Sequence, residues 1–264
     1  MKFSFFKMHG AGNKFIIIDD RSLKFPRISK KLINHIKNNY VDLNFDGIIL
    51  FQTSKIADVK MVFYNPDGSE ANMCGNGARC VAKLYNYFNN LKKNLVIETN
   101  IGLIKSFVKN DIVKLFLDIN PSIKLSINLG SHTIDYCDSG VPHTVKWLQK
   151  SEKNIFSSTK FLEMGRFVRY HEYFKPNGTN FNLVITESKN IFSMRTYERG
   201  VEDETSACGT GALAIACLAV EKGICNFPVT IKCNSKEELL IDKESKLLTL
   251  EGSSIIEYND IIDI

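Results

Sequence analysis

The chain has 264 residues, of which 44% are hydrophobic and 24% are charged. This is the composition of an ordinary globular protein, and the length suffices for two domains of average size. The net charge of +5 is spread along the chain and forms no basic stripe of the kind that binds nucleic acid. No apolar run approaches the roughly 18 residues of a membrane span. The composition therefore predicts neither a nucleic-acid partner nor a membrane partner.

Cysteine usage points to a reducing compartment. The chain contains seven cysteines, and none of them forms a Cys-x-x-Cys pair. This pattern argues against a disulfide scaffold, a zinc ribbon and a thioredoxin-type motif. The residues expected to be reduced, buried thiols are Cys80, Cys137, Cys217, Cys225 and Cys233. The apolar stretch within residues 1–10 is too short for a secretory signal, which predicts a cytoplasmic protein.

The first half of the chain alternates short strands with helices. Helical spacing of apolar residues predicts helices at 30–38 and 78–88. Pro66-Asp67-Gly68 predicts a turn, because proline presets one φ angle and glycine tolerates the left-handed region. The predicted strands lie at 16–18, 47–51, 60–64, 95–99, 103–108 and 112–119. Asn120-Pro121-Ser122 then marks the predicted junction between domains.

The second half has a similar order of elements. Strands are predicted at 132–137, 180–186 and 192–197, and helices at 144–150 and 212–222. The second of these helices precedes Gly223, which suits a left-handed cap at its end. The remaining sequence to residue 264 is rich in strand-forming residues.

Two matching five-residue motifs indicate that the two halves of the chain are duplicates. Cys74-Gly75-Asn76-Gly77-Ala78 recurs as Cys208-Gly209-Thr210-Gly211-Ala212 at an offset of 134 residues. Asn100 and Asn234 have the same offset. Ordered landmarks at one offset are typical of internal duplication. The prediction is an α/β (α+β) protein of two pseudo-symmetric domains, each a mixed or barrel-like sheet around a long helix, with the active site in the cleft between them.

The predicted domain boundaries follow from this repeat. The first domain is expected at residues 1–118 and the second at 119–264. The final strand, at about 257–264, is a candidate to return to the first domain.

The two cysteines are candidate acid/base groups. Each precedes a glycine-rich helix start, where unpaired N–H groups and the helix dipole favour negative charge. A cysteine in such a place can have a pKa well below its free value of about 8.5, and the same amides can hold a carboxylate. Cys74 and Cys208 on opposite sides of one carbon could remove a proton from one face and supply one to the other. His143 and Glu198 are candidates to set the protonation of these thiols.

The sequence resembles the diaminopimelate epimerase family over nearly its whole length. The matching stretches are Lys7-Met8-His9-Gly10-Ala11-Gly12-Asn13, Asn65-Pro66-Asp67-Gly68-Ser69-Glu70-Ala71, Met73 to Cys80, Gly140 to His143 and Tyr197 to Ala212. The chain departs from the family pattern at three places, which are Lys14, Val141 and the stretch Asp42-Leu43-Asn44-Phe45-Asp46.

The resemblance implies a two-domain homodimer that interconverts LL- and meso-2,6-diaminopimelate on the path to lysine and peptidoglycan, without pyridoxal phosphate, metal or other cofactor. It implies that Cys74 and Cys208 are the acid/base thiols, with His143 and Glu198 as their partners. The substrate contacts that it implies are Asn13, Asn65, Gly75, Asn76, Asn180, Glu198, Arg199, Gly209 and Thr210. Two alternatives stay open: a related racemase for another amino acid, and a thiol redox module in which Cys74 and Cys208 form a reversible disulfide.

Overall fold

The computed structural model describes residues 1–40, 43–90 and 92–264. Asp42, one of the predicted departures from the family pattern, lies outside the described residues. The helices are α1 (Lys30–Asn39), α2 (Gly75–Phe88), α3 (Lys153–Phe156), α4 (Lys160–Tyr170) and α5 (Gly209–Glu221). In the described part of the chain, no helix is both long enough and apolar enough to cross a membrane.

The strands are, in chain order, β1 (Lys2–Gly10), β2 (Asn13–Asp19), β3 (Gly47–Gln52), β4 (Val59–Tyr64), β5 (Glu70–Ala71), β6 (Asn94–Thr99), β7 (Gly102–Lys109), β8 (Ile112–Leu117), β9 (Ser122–Asn128), β10 (Thr133–Asp138), β11 (Pro142–Leu148), β12 (Asn180–Ser188), β13 (Ile191–Glu198), β14 (Asp203–Thr205), β15 (Val229–Lys232), β16 (Glu238–Glu244), β17 (Leu247–Ser253) and β18 (Ile255–Asp263). Strands therefore dominate a mixed α/β chain. The chain divides into two compact units: unit 1 is Met1–Phe116 with Glu251–Ile264, and unit 2 is Leu117–Leu250.

The sheet of unit 1 has a mixed order. β1 lies between β18 and β2 and is antiparallel to both. β2 and β3 are parallel, and β3 and β4 are antiparallel. β4 then pairs with β5 in antiparallel and with β6 in parallel orientation, and β7 is antiparallel to both β6 and β8.

The sheet of unit 2 repeats this order from β9, the counterpart of β18, to β16, the counterpart of β7. β10 is antiparallel to β9 and β11, β11 is parallel to β12, and β12 is antiparallel to β13. β13 pairs with β14 in antiparallel and with β15 in parallel orientation, and β15 is antiparallel to β16. Tyr64 faces Glu70 in unit 1, and Tyr197 faces Glu204 at the equivalent place in unit 2. The sequence repeat is thus a repeat of structure.

In each unit, one helix packs against each of the two faces of the sheet. α2 contacts strands along the sheet of unit 1, from β18 and β1 to β7, so the sheet curves around it. On the opposite face, Ile33 and Ile36 of α1 join a buried cluster with Ile16, Ile18 and Ile48. In unit 2, α5 is buried along almost its whole length, and α4 covers the other face. In each unit the sheet therefore lies between two layers of helix.

One predicted element is wrong. Residues 144–150 were expected to form a helix, but β11 occupies Pro142–Leu148. It pairs in parallel with β12 from His143 opposite Asn180 to Leu148 opposite Ile185. Thr144, Val145 and Trp147 are β-branched or aromatic, and sheet pairing satisfies the strand preference of such side chains. The end of α5 is as predicted, since the helix stops before Gly223, whose φ is +67°.

Candidate active site

Cys74 caps the first turn of α2. Its backbone is extended, with φ −137° and ψ 117°, and the N–H of Gly77 donates to its Sγ at 3.4 Å. The carbonyl of Cys74 accepts the first helical hydrogen bond, from Ala78. The thiol is half-buried. A sulfur in this place meets the unpaired N–H groups of the helix, which stabilise an anion there.

A chain of side-chain amides lies beside Cys74. Asn76 is 2% exposed, and its Nδ2 donates to Oδ1 of Asn13 at 3.4 Å. Asn13 donates in turn to Oδ2 of Asp46 at 2.8 Å, and the backbone N–H of Lys14 donates to the same oxygen. The Asp46 carboxylate therefore fixes the start of β2, and with it the orientation of Asn13.

A buried guanidinium supports the first turn of α2. Arg79 is 0% exposed and donates to Oδ1 of Asn76 at 3.0 Å. It also lies 3.5 Å from the carbonyl oxygens of Gly75 and Ser253. A buried cation is costly unless its N–H groups are paired, so this residue holds the Gly75-Asn76 peptide in a defined position. The positive charge sits one helical turn beyond Cys74.

Asn65 closes the predicted turn after β4. Its N–H donates to the carbonyl of Ser69 at 2.8 Å, and its Nδ2 donates to Oγ of Ser69 at 3.0 Å. Gly68 donates to the carbonyl of Asn65 and has a φ of +90°, which a side chain would strain. The turn thereby presents the Asn65 side chain at the end of the strand.

Cys208 takes the same position at the start of α5. Its φ of −133° and ψ of 109° nearly equal those of Cys74, and it is 7% exposed. Its Sγ lies 3.5 Å from Oγ1 of Thr210. That hydroxyl lies 2.9 Å from Nε2 of His143, so Thr210 connects the thiol to the imidazole. The sequence left open which thiol His143 serves; in the structure it is joined to Cys208 through a third side chain.

His143 is buried as a neutral base. It is 0% exposed on β11, and burial, together with the nearby charge of Arg199, lowers its pKa to about 3. Its Nδ1 lies 3.1 Å from Nδ2 of Asn182. At neutral pH the imidazole therefore carries one proton, which a hydrogen-bond chain can direct.

The remaining predicted residues of unit 2 gather at the ends of β12 and β13. Asn180 donates to the carbonyl of Pro142 at 2.9 Å and accepts from the N–H of Arg199 at 2.8 Å. Glu198 is the last residue of β13 and is half-buried. Arg199 donates to the carbonyl of Asn177 at 3.4 Å. Asn180 thereby fixes the backbone that carries Glu198 and Arg199.

The second glycine of each cysteine motif, Gly77 or Gly211, lies where a side chain would collide with neighbouring side chains. A Cβ placed on Gly211 would lie 2.7 Å from Oδ1 of Asn182 and 3.4 Å from Cε1 of His143. A Cβ on Gly77 would meet Ile49 and Met61, whose side-chain ends are flexible. Glycine is therefore more strictly required at position 211 than at position 77, because Oδ1 of Asn182 is held in place by a hydrogen bond.

The other cysteines are buried thiols, as predicted. Burial raises the pKa of Cys80 and Cys137 to about 12 and that of Cys217 to about 11. Cys225 and Cys233 are also buried. Within residues 1–40, 43–90 and 92–264, no group of three or more His, Cys, Asp or Glu side chains is placed to hold a metal ion.

Comparison with known proteins identifies the family. The model of the family described as diaminopimelate epimerase matches residues 5–119 and 136–247. The diaminopimelate epimerase of Aquifex aeolicus is 37% identical over 268 residues, a match that covers 94% of each chain. The chain belongs to the diaminopimelate epimerase family. The diaminopimelate epimerase of a Hydrogenobaculum species is 34% identical over 262 residues, covering 93% of each chain.

Solved structures of lower identity share the fold of this diaminopimelate epimerase family member. A phenazine biosynthesis protein of the PhzF family from Bacillus anthracis has a TM-score of 0.73 at 15% identity and covers 100% of both chains. A hydroxyproline epimerase from Agrobacterium vitis, with bound trans-4-hydroxy-L-proline, has a TM-score of 0.73 at 12% identity, covering 99% of this chain and 92% of its own. The predicted α/β fold class is confirmed.

Three residues of this family member escaped the sequence prediction: Arg79, Asn182 and, as the anchor of Asn13, Asp46. For Asn182 a signal was available, because Asn180 and Asn182 are two residues apart on a strand and so share a face. No comparable signal marks Arg79, since an arginine inside an amphipathic helix usually points to water.

Proposed function

We propose that the protein interconverts LL- and meso-2,6-diaminopimelate by a two-base reaction in which Cys74 and Cys208 are the catalytic acid and base. One observation carries the proposal: two cysteines stand at the N-caps of equivalent helices in units of equivalent topology. An α-carbon is inverted when a proton leaves one face and another arrives at the opposite face. Two thiols provide the base and the acid for these transfers.

The proposed step balances without any change of oxidation state. A thiolate takes the α-proton and becomes a thiol as the Cα–H bond breaks, and the electron pair delocalises into the carboxylate. The second thiol then donates its proton to the other face of the same carbon and becomes a thiolate. The developing charge needs hydrogen-bond donors in fixed positions. The N–H groups at Gly75-Asn76 and Gly209-Thr210 begin the two helices and are proposed to supply them.

The distal end of the substrate is proposed to select diaminopimelate over simpler amino acids. The residues proposed to contact substrate beyond the helix starts are Asn13, Asn65, Asn180, Glu198 and Arg199. The hydrogen bonds of Asn13 to Asp46 and of Asn180 to the Arg199 backbone support preorganised positions for these groups. His143 and Glu198 are proposed to exchange protons with the thiols or to bias their charge.

A substrate panel tests this proposal. Purified, reduced protein is incubated with LL-diaminopimelate, meso-diaminopimelate, proline, 4-hydroxyproline and glutamate, and the stereoisomers are separated on a chiral column. We expect LL- and meso-diaminopimelate to be interconverted, and proline, 4-hydroxyproline and glutamate to remain unchanged. Racemisation of another amino acid alone would establish the related racemase instead. No turnover of any of these amino acids by the reduced protein, together with a Cys74–Cys208 disulfide that forms and is reduced reversibly, would establish a thiol redox module.

The family resemblance also supports a cytoplasmic homodimer as part of the proposal. Sedimentation equilibrium at micromolar concentration is expected to give twice the chain mass of 29.9 kDa. A single species of the chain mass that is fully active would remove the dimer from the proposal.

A further inference from the structure

The side chain of Asn182 lies at Nδ1 of His143, whereas Thr210 lies at Nε2 of the same ring. It is 0% exposed on β12, and its Nδ2 lies 2.9 Å from the carbonyl oxygen of Thr144 and 3.1 Å from Nδ1 of His143. Its Oδ1 accepts a hydrogen bond from the hydroxyl of Thr196 at 2.8 Å. Each polar atom of this amide is therefore engaged within unit 2.

These contacts determine which nitrogen of His143 carries the proton. A carbonyl oxygen only accepts hydrogen bonds, so the atom of Asn182 beside Thr144 must be the NH2 group. The same NH2 group faces Nδ1 of His143, which must then accept and cannot hold a proton. A neutral imidazole has one N–H, so its proton lies on Nε2. The low pKa of His143 agrees with a neutral ring.

The proton on Nε2 sets the direction of the next hydrogen bond. Nε2 lies 2.9 Å from Oγ1 of Thr210 and donates to it. Asn180 offers Nε2 no competing acceptor, because its amide nitrogen, at 3.5 Å, donates to the carbonyl of Pro142. The hydroxyl proton of Thr210 is then free to point at Sγ of Cys208, 3.5 Å away. A hydroxyl that donates to sulfur favours the thiolate over the thiol.

We propose that Asn182 is a positioning residue for the epimerisation, which fixes the proton of His143 on Nε2 and thereby directs the Thr210 hydroxyl at the sulfur of Cys208. This inference rests on the proposed function for its catalytic meaning, but its structural part holds for the protein without substrate. Asn182 acts through His143 and Thr210. The reverse tautomer would turn the Thr210 hydroxyl toward Nε2 and remove this donor from the sulfur.

The tautomer is measured by long-range ¹H–¹⁵N NMR on protein labelled with ¹⁵N-histidine at neutral pH, with His143→Gln identifying the signals. We expect Nδ1 of His143 to be of the pyridine type and Nε2 of the pyrrole type. In Asn182→Asp the new carboxylate only accepts, so Nδ1 should gain a proton and become pyrrole-type. The opposite tautomer or an imidazolium in the wild type, or an unchanged Nδ1 in Asn182→Asp, would overturn the proposal.

Two threonine variants complete the test. Thr196→Val removes the hydroxyl behind Asn182 but leaves its amide on Thr144, so the His143 tautomer should stay as in the wild type; a switched tautomer would contradict the assignment. Thr210→Val breaks the connection to the sulfur and should lower kcat for LL-diaminopimelate about ten- to hundredfold, the effect of one hydrogen bond to a charged group. A kcat within twofold of the wild type would refute the catalytic part.

These experiments distinguish a failure of the proposed function from a failure of the role proposed for Asn182. If the wild-type protein fails to turn over any diaminopimelate isomer, the proposed function fails while the NMR spectra still decide the role of Asn182. If Asn182→Asp does not fold, the wild-type and Thr196→Val spectra decide it alone.

Discussion

Replacing either Cys74 or Cys208 by alanine is expected to abolish epimerisation. In the proposed reaction each thiol serves one face of the α-carbon, so a single remaining thiol can remove a proton from one face but cannot deliver one to the other. A positioned acid or base contributes about 10²–10⁴ in rate, and each variant should lose at least this factor. The measurement is the rate of meso-diaminopimelate formation from the LL isomer by chiral chromatography.

The chain provides a matched control for the loss of a thiol. Cys225 is buried, lies outside both helix starts and has a pKa raised by burial. Cys225→Ala should therefore keep kcat within about twofold. Thermal unfolding of the three variants separates lost chemistry from lost fold. Wild-type activity in Cys74→Ala or in Cys208→Ala, with the fold intact, would remove the two-base account.

Acid is expected to destabilise the protein through His143. The folded pKa of about 3 lies below the ordinary value of 6.5, so between these values the unfolded chain binds more protons than the folded one. Stability from this group is complete above pH 6.5 and is lost as the pH falls toward 3. The slope approaches about 1.4 kcal/mol per pH unit only below the unfolded pKa, so the loss between pH 6.5 and 4.5 is about 2 kcal/mol.

Urea unfolding of the wild type and His143→Gln at pH 6.5, 5.5 and 4.5 measures this effect. The variant lacks the titrating ring, so its free energy of unfolding should fall less steeply than that of the wild type. His35 lies exposed on α1, and His35→Gln should follow the wild type. Parallel pH dependences of the wild type and His143→Gln would show that the buried imidazole is not neutral.

The repeated cysteine motifs at 74–78 and 208–212 have the same backbone conformation at the cysteine but different surroundings. At the offset of 134 residues, Arg79 corresponds to Leu213, and both are fully buried. α2 thus carries a buried cation beneath its first turn, whereas α5 has an apolar side chain there. Cys208 is connected instead to a neutral imidazole through Thr210. The two thiols therefore have different neighbours, with a buried cation in α2 and a threonine hydroxyl and neutral imidazole beside Cys208.

The sequence predicted the parts that local rules govern. A cysteine before two glycines predicted a helix start, and both helices begin there. The helix predicted at 144–150 was wrong because pairing with β12 outweighed a weak local pattern. The orientation of Asn182 on β12 depends on atoms of His143 and Thr144 from β11 and of Thr196 from β13. Only the folded register brings these strands together, so no single stretch of sequence encodes that contact.

The central claim, that two different thiols act on one α-carbon, is tested most directly by isotope content at low conversion in heavy water. LL-diaminopimelate with ordinary hydrogen at its α-carbons is incubated with reduced protein, and product and recovered substrate are analysed by mass spectrometry. The two-base account predicts one deuterium at the inverted carbon of nearly every meso product molecule and almost none in the recovered LL substrate. A meso product that retains its original α-hydrogen would show that one base returns the same proton, and would contradict the account.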